Sequence, residues 1–208
     1  IYDEQDRLAN RAETRIAVDS TRIEKAGYKH FMAKEIAEQP VVIADALRSY
    51  VQNGALHLPA EVNFAGVDRV SMVACGTASY ACHVAKYWFE QIAGLPCDID
   101  VASEFRYREP PLSPKQWALF VSQSGETADT LAALRYTREK VAKIVAVVNV
   151  PTSSIAREAD LALPIMAGIE VGVASTKAFT CQLITLALLA LKAATDRGRL
   201  DAAGLARH

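Results

Sequence analysis

Short apolar segments alternate with helix-like segments over residues 69–195. The pattern predicts strands at 69–74, 97–101, 117–122, 144–148 and 161–163. It predicts helices at 79–92, 128–140, 153–158 and 175–195. Such alternation is typical of a parallel sheet covered by helices, so the predicted fold class is α/β. The strand at 144–148 is apolar at every position, which predicts a central strand covered on both faces.

The regions outside this core are less regular. Residues 1–27 are charged and weakly patterned, and we interpret them as an interdomain lead-in with few core contacts. The domain itself is predicted over 28–195, and residues 196–208 are interpreted as a linker or tail. Within 28–50 the pattern predicts a pair of helices, the second of which begins at Pro40.

Two turns rich in glycine and hydroxyl groups follow two of the predicted strands. One is Ser122-Gln123-Ser124-Gly125-Glu126-Thr127, and the other is Cys75-Gly76-Thr77-Ala78-Ser79. A helix N-terminus offers unpaired N–H groups and the positive end of its dipole, which suits a phosphate dianion. Serine and glycine also cap helices without any ligand, and a single turn of this kind would favour that interpretation. Because the carboxyl ends of parallel strands share one edge of a sheet, we predict that both turns serve one ligand.

Two further polar segments have competing interpretations. The segment 149–154 contains Pro151, which favours a structural turn and a helix cap. The segment 170–177 precedes the last predicted helix, so it could be a glycine turn with a Ser or Thr cap. Alternatively, backbone groups near Val173 and the Ser175 hydroxyl could contact sugar hydroxyls. Spacing alone leaves these two possibilities open.

Composition points to a small-molecule partner. The 208 residues carry a net charge of −1 and contain no run of basic residues, so neither nucleic acid nor a membrane surface is a predicted partner. The apolar run at 183–191 ends at Lys192 and is shorter than a bilayer span, which predicts a buried helix. No metal-ligand spacing connects the cysteines, which we interpret as reduced thiols in a cytoplasmic protein: Cys75, Cys82, Cys97 and Cys181.

Common catalytic and cofactor motifs do not fit this sequence. The hydrolase pattern G-x-S-x-G fails because Ser122 and Glu126 occupy its glycine positions around Ser124. The G-x-x-x-x-G-K-[ST] and G-x-G-x-x-G patterns are also missing, so no cofactor is predicted. Cys75 precedes a helix but has no histidine near it in sequence, which favours packing or ligand contact over covalent catalysis.

Five ordered segments resemble the glutamine-dependent glucosamine-6-phosphate synthases. These segments are 28–36, 75–77, 102–108, 122–127 and 172–180. The resemblance runs from about residue 28 to residue 191 and corresponds to the first of the two sugar isomerase (SIS) domains of the synthase half. It implies a three-layer α/β/α sandwich of flavodoxin-like type with a five-stranded parallel sheet. The implied ligand is fructose 6-phosphate or glucosamine 6-phosphate.

The resemblance also implies roles for single positions. Phosphate is held in the family by the positions that match Ser122, Gln123, Ser124 and Thr127, and the sugar is contacted by those that match Cys75, Thr77, Val173 and Ser175. Gly76, Gly125 and Ala174 lie in the same segments and belong to the predicted site. Family members often use a phosphate-binding serine where this chain has Ala78, and Ser79 is the expected replacement.

Catalysis in the family requires groups that this sequence does not contain. The acid and base groups and a Schiff-base lysine belong to the second isomerase domain, and the ammonia-releasing cysteine belongs to a glutaminase domain. We therefore assign no catalytic residue and expect this fragment to bind sugar phosphate without turnover. Its expected partners are the glutaminase domain and the second isomerase domain of the same parent protein. The parent protein is expected to form a homodimer. Two alternatives stay open, a non-catalytic sugar-phosphate sensor and a free-standing aldose-ketose isomerase.

Overall fold

The computed structural model describes residue 2 and residues 4–9 and 24–207. Its helices are α1 (Phe31–Tyr50), α2 (Thr77–Gln91), α3 (Ala102–Arg108), α4 (Ala128–Thr137), α5 (Ser154–Glu158), α6 (Lys177–Asp196) and α7 (Ala202–Leu205). Its strands are β1 (Val51–Gln52), β2 (Ala55–Leu56), β3 (Arg69–Ala74), β4 (Cys97–Val101), β5 (Gln116–Ser122), β6 (Lys143–Val148) and β7 (Leu161–Pro164). The predicted lead-in falls mostly on positions outside the described residues.

Five strands form one parallel sheet in the order β4-β3-β5-β6-β7. This arrangement confirms the predicted α/β/α class and the five-stranded parallel sheet. The chain crosses from β3 to the edge strand β4 and returns to β5 on the other side, so strand order reverses between β3 and β5. Open α/β sheets bind ligands at such a reversal. Ala74 pairs with Val121 at the end of these strands, so the two turns that follow leave the sheet side by side.

The two faces of the sheet bury two separate hydrophobic clusters. Side chains in a strand alternate between faces, and β5 shows this directly, since Leu119 belongs to one cluster and Phe120 to the other. Helices α2 and α6 cover the first face. Helices α3, α4 and α5 cover the second. The predicted coverage of this strand on both faces is confirmed, because β6 alternates its apolar side chains between the two clusters and Ile144 through Val148 are buried. It is an interior strand, although β5 is the middle one.

The predicted pair of helices over 28–50 is wrong, because α1 is one continuous helix with Pro40 inside it. Pro40 is exposed, so the carbonyl that loses its N–H partner can be hydrated. Buried side chains on both sides of the proline, among them Glu35 and Ala46, hold the helix against the domain. At the end of α1 the Tyr50 hydroxyl donates to the Pro164 carbonyl of β7 over 2.7 Å, and burial raises the pKa of Tyr50 to about 12.

Four short elements were not predicted. β1 and β2 form a hairpin around Asn53 and Gly54, whose φ angles of 52° and 73° are both positive. Asn-Gly between two short strands is the signature of such a turn, so the sequence contained the signal. Helices α3 and α7 are the other two, and the structure places them within segments interpreted only as a motif and a tail.

Helix α6 is the apolar helix predicted over 175–195. Its 20 residues are long and apolar enough to cross a membrane by length and composition, so the length argument based on 183–191 does not apply to the whole helix. Burial decides the interpretation instead, since 61% of its most apolar window is enclosed by the domain. Leu186 and Leu189 belong to the cluster on the first face of the sheet, which makes α6 a core helix.

Replacing Pro40 with alanine tests the continuous helix. Pro40→Ala restores one backbone hydrogen bond at an exposed position, so we expect the free energy of unfolding to rise by about 1–3 kcal/mol, with some of the gain lost to a more flexible unfolded chain. Urea unfolding followed by circular dichroism measures it. The exposed neighbour Val41→Ala is the control, with an expected change within about 0.5 kcal/mol. Destabilisation by Pro40→Ala would contradict the continuous helix.

Candidate functional site

A polar cavity of about 230 Å³ lies where β3 and β5 end. Three chain segments meet around it, and the residues that line it are Cys75, Thr77, Ala78, Val121, Ser122, Gln123, Ser124, Thr127, Val173, Ala174, Ser175 and Gln182. The structure therefore brings most of the predicted site residues to one place. Gly76, Ser79 and Gly125, which were also predicted, lie outside this lining.

The turn after β5 is organised by its own hydroxyl groups. The Ser122 hydroxyl accepts a hydrogen bond from the Gly125 N–H over 3.0 Å and lies 3.2 Å from the Thr127 hydroxyl. The Ser124 hydroxyl accepts from the Glu126 N–H over 3.2 Å. These bonds shape the turn that precedes α4 and direct its polar side chains to the cavity.

Helices α2 and α4 both begin at the cavity without a side-chain cap. Within the part of the chain that the structure describes, no side chain accepts a capping hydrogen bond at Gly76 or at Thr127, the N-caps of these helices. Gly76 is itself the N-cap residue of α2, and the serine side chains of the two turns cap neither helix, so the cap interpretation holds for that glycine alone. The first N–H groups of both helices remain available to an anion, and both dipoles act in the same sense.

Gly125 has a steric as well as a conformational reason to be glycine. Its φ is +66°, and a Cβ at this position would lie 2.0 Å from the Ser153 hydroxyl. Ser153 caps α5 by accepting from the Ala156 N–H, which confirms the structural interpretation of the segment 149–154. The chain after β6 therefore packs directly behind the turn formed by residues 122–127.

A second contact joins this turn to α5. The Ser154 N–H donates to the Glu126 carboxylate over 2.7 Å, and this hydrogen bond lowers the pKa of the Glu126 carboxyl. The Ile155 N–H donates to the Gly125 carbonyl over 3.0 Å. Two backbone groups of α5 thus fix the far side of the turn.

The turn after β3 depends on Gly76, whose φ of 59° and ψ of −137° suit glycine. Cys75 and Thr77 on either side of it line the cavity. The Ser79 hydroxyl donates to the Gly76 carbonyl over 2.7 Å, and the side chain is buried. The structure therefore gives Ser79 a role within its own turn, and Ala78 is the residue that faces the cavity, because one position along a helix rotates the side chain by about 100°.

Two carboxylates hold the third segment, residues 169–176, by accepting hydrogen bonds from it. Glu170 accepts from the Ser175 hydroxyl over 3.2 Å and from the Thr176 N–H over 2.9 Å, so it caps α6. Glu35 of α1 accepts from the N–H groups of Val171 and Gly172 over 2.6 and 3.1 Å. The loop between these anchors carries Val173, whose side chain is fully exposed beside the cavity.

Lys177 follows this segment and belongs to an ion pair. Its ammonium donates to Glu38 of α1 over 2.7 Å, and the lysine side chain is 5% exposed. Burial acts to raise the pKa of the Glu38 carboxyl, but hydrogen bonds and charges from Lys177 and Lys34 outweigh it and lower that pKa. Lys177 therefore ties α6 to α1.

The lining includes residues that sequence reasoning missed. Val121 and Gln182 were not predicted, and Ala78 was noted only as a departure from the family. Gln182 lies on the buried side of α6 and is 1% exposed. A glutamine among the apolar residues of a core helix was the signal that could have identified it.

The cysteines differ in environment. Burial raises the pKa of the Cys97 thiol to about 12 and that of the Cys181 thiol to about 11, and it raises the pKa of Cys82 as well. These three thiols stay protonated at neutral pH. Cys75 is partly exposed and lines the cavity. Among the described residues, no group of three His, Cys, Asp or Glu side chains could hold a metal ion.

A larger cavity of about 950 Å³ lies toward the opposite ends of the strands. It is bordered by Arg69 and Gln116, the first residues of β3 and β5. Its charged groups neutralise one another, since Arg69 pairs with Asp98 over 2.6 Å and Arg108 Nε donates to Asp100 over 2.9 Å. Because these charges are already paired, the smaller cavity at the carboxyl ends of the strands is the better candidate site.

Comparison with known proteins agrees with this geometry. A family model described as the SIS domain matches residues 63–192. This range contains β3 through most of α6 and therefore all three segments around the cavity.

Curated relatives extend the match to nearly the whole chain. The chain is 54% identical over 205 residues to a glutamine–fructose-6-phosphate aminotransferase (isomerizing) of Bradyrhizobium diazoefficiens, covering 97% of this chain and 34% of that protein. The chain thus spans about a third of the length of the curated relatives that it matches.

Solved structures match as well. The C-terminal domain of glucosamine-fructose-6-phosphate aminotransferase from Francisella tularensis superposes with a TM-score of 0.84 at 41% identity, covering 88% of this chain and 52% of that one. A glucosamine-6-phosphate deaminase from Thermotoga maritima gives a TM-score of 0.66 at 26% identity, covering 80% and 49%.

Substituting Gly125 tests the packing behind the turn. Gly125→Ala forces a Cβ against Ser153 in addition to the cost of about 1–2 kcal/mol for an L-residue at positive φ. Gly66→Ala is a matched control, because Gly66 also has a positive φ, of +78°, but open space around it. We expect Gly125→Ala to lose more unfolding free energy than Gly66→Ala in urea titrations. Equal losses would show that Ser153 does not restrict this position.

Proposed function

Because this chain belongs to the SIS domain family, we propose that its cavity binds a hexose 6-phosphate, either fructose 6-phosphate or glucosamine 6-phosphate. One observation carries the proposal. Two helices without side-chain caps, α2 and α4, begin at a single cavity lined by hydroxyl groups. A phosphate dianion needs several donors and a positive potential, and this arrangement supplies both without a basic side chain.

In this proposal the phosphate occupies the α4 side of the cavity. Ser122, Gln123, Ser124 and Thr127 all line it. Their hydroxyl and amide groups donate to the phosphate oxygens, together with the first N–H groups of α4. Gly125 gives the turn its positive φ of +66°, and its packing against Ser153 leaves no room for a side chain.

The sugar then extends toward the other two segments. Cys75 and Thr77 follow β3, and Val173, Ala174 and Ser175 belong to the loop that Glu35 and Glu170 hold. Neutral donors and acceptors of this kind suit a polyol, which has hydroxyl groups on every side. The loop is anchored to α1 and α6, so the sugar side of the site is positioned by the helical layer on one face of the sheet.

The parent protein, in our proposal, is a glutamine–fructose-6-phosphate aminotransferase. Its overall reaction would convert fructose 6-phosphate and glutamine into glucosamine 6-phosphate and glutamate. This chain would supply a binding half-site, and acid–base chemistry would come from the second isomerase domain of the parent. We expect the parent to be a cytoplasmic homodimer, and the four unpaired cysteines are consistent with a reducing compartment.

Ser124→Ala tests the phosphate site. The substitution removes one neutral donor to a charged acceptor, so we expect fructose 6-phosphate to bind about 10- to 150-fold more weakly, equivalent to about 1.5–3 kcal/mol. Isothermal titration or amide shifts of Gly76, Ser124 and Gly125 measure the affinity. Cys75→Ala should cost less, and Ser103→Ala on α3 is the matched serine control. Unchanged affinity in Ser124→Ala would refute the phosphate role.

Turnover distinguishes the proposal from a free-standing isomerase. The 208-residue chain carries no assigned acid–base pair, so we expect it to bind fructose 6-phosphate and leave it unconverted. Incubating the purified chain with the sugar phosphate and following products by NMR checks this. Conversion to an aldose phosphate at a rate proportional to protein concentration would support the isomerase instead.

A further inference from the structure

Gln182 is the most deeply buried polar side chain that lines the cavity. It lies in the second turn of α6 and is 1% exposed, compared with 3% for Ser122. Its neighbours in sequence, Cys181 and Leu183, pack in or against the hydrophobic cluster on that face of the sheet. A glutamine here gains nothing from apolar packing that a leucine or methionine would not supply.

The amide oxygen of Gln182 is not satisfied within the described part of the chain. This Oε1 atom is buried and has no hydrogen-bond partner, a condition it shares among described side chains only with the Thr130 hydroxyl. A buried acceptor without a donor reduces the stability of the folded protein. A hydrogen-bond donor from a bound molecule would remove this cost.

Within the described residues, no hydroxyl group around the cavity donates to the Gln182 Oε1 atom. The Ser122 and Thr127 hydroxyls lie within hydrogen-bond distance of each other, and the Ser175 hydroxyl donates to Glu170. A molecule that enters the cavity can supply the missing donor. Because Gln182 lines that cavity, the occupant can reach it without rearranging the core.

We propose that the Gln182 amide hydrogen-bonds a hydroxyl group of the bound sugar and so helps the site select a hexose phosphate over free phosphate. This inference rests on the proposed function. The esterified phosphate dianion of a hexose 6-phosphate carries no proton, so it only accepts hydrogen bonds and cannot satisfy an amide oxygen. A sugar hydroxyl donates and accepts, so it matches either orientation of the amide.

The test compares Gln182→Met with the unsubstituted chain. Methionine has a similar length and no amide, so the variant keeps the packing and loses the hydrogen bond. Affinities for fructose 6-phosphate, glucosamine 6-phosphate and inorganic phosphate are measured by NMR titration, and thermal unfolding is measured without ligand. Thr130→Val is the matched control, because it removes the other unpartnered buried group at a position outside the cavity lining.

We expect Gln182→Met to bind both hexose phosphates about 3- to 10-fold more weakly than the unsubstituted chain does, and to bind inorganic phosphate with an affinity within about twofold of it. The unfolding midpoint of the free protein should be unchanged or higher, since an unpaired amide oxygen has been removed. Thr130→Val should share the stability effect and keep the affinities of the unsubstituted chain.

Three results would overturn the inference. The first is an unchanged affinity of Gln182→Met for the hexose phosphates. The second is an equal loss of affinity for inorganic phosphate, which would show that the amide contacts the phosphate. The third is a lower unfolding midpoint, which would make Gln182 a structural residue. If the unsubstituted chain binds neither hexose phosphate, the proposed function fails, and this inference fails with it.

Discussion

The parallel pairing of β3 with β5 is the constraint on which the site depends. Their register ends at the pair Ala74 and Val121, so the chain leaves both strands at the same level and turns into a helix from each. Because strand order reverses between them, the two following helices diverge to opposite faces and leave a crevice. The apolar alternation that drives each strand into the sheet therefore also places two uncapped helix N-termini against one cavity.

The helical layer over one face completes the site from a distance along the chain. Glu35 lies on α1, yet its carboxylate holds the N–H groups of Val171 and Gly172. Lys177 of α6 forms a second link to α1 by pairing with Glu38. These contacts make α1 a support for the loop that precedes α6, and they explain why a helix outside the sheet's own alternation packs so closely on α6.

The sheet was predicted well because strands produce a local pattern of apolar residues that can be recognised in the sequence. The five strands agree with prediction to within about a residue at each end, and the two turns were identified from their glycines and hydroxyls. The prediction at Pro40 was wrong, since the effect of a proline on a helix depends on whether packing on both sides can offset one lost hydrogen bond. Glu35 could not be assigned a role at all, because its partners lie more than a hundred residues away. Gln182 was missed for a related reason, as apolar neighbours dominated the interpretation of α6.

Part of the unmet hydrogen-bonding capacity of the described residues lies at the cavity. Helix N-termini without caps and a buried amide oxygen without a partner each reduce stability in the free protein. Three helices have side-chain caps, since Ser153 caps α5, Asp201 caps α7 and Glu170 serves α6. Helices α1 and α3 begin without one among the described residues, as α2 and α4 do, so the distinguishing feature of α2 and α4 is that both begin at one crevice. In the proposed function these open donors would bind an anion with hydroxyl groups, and that binding would stabilise the folded chain.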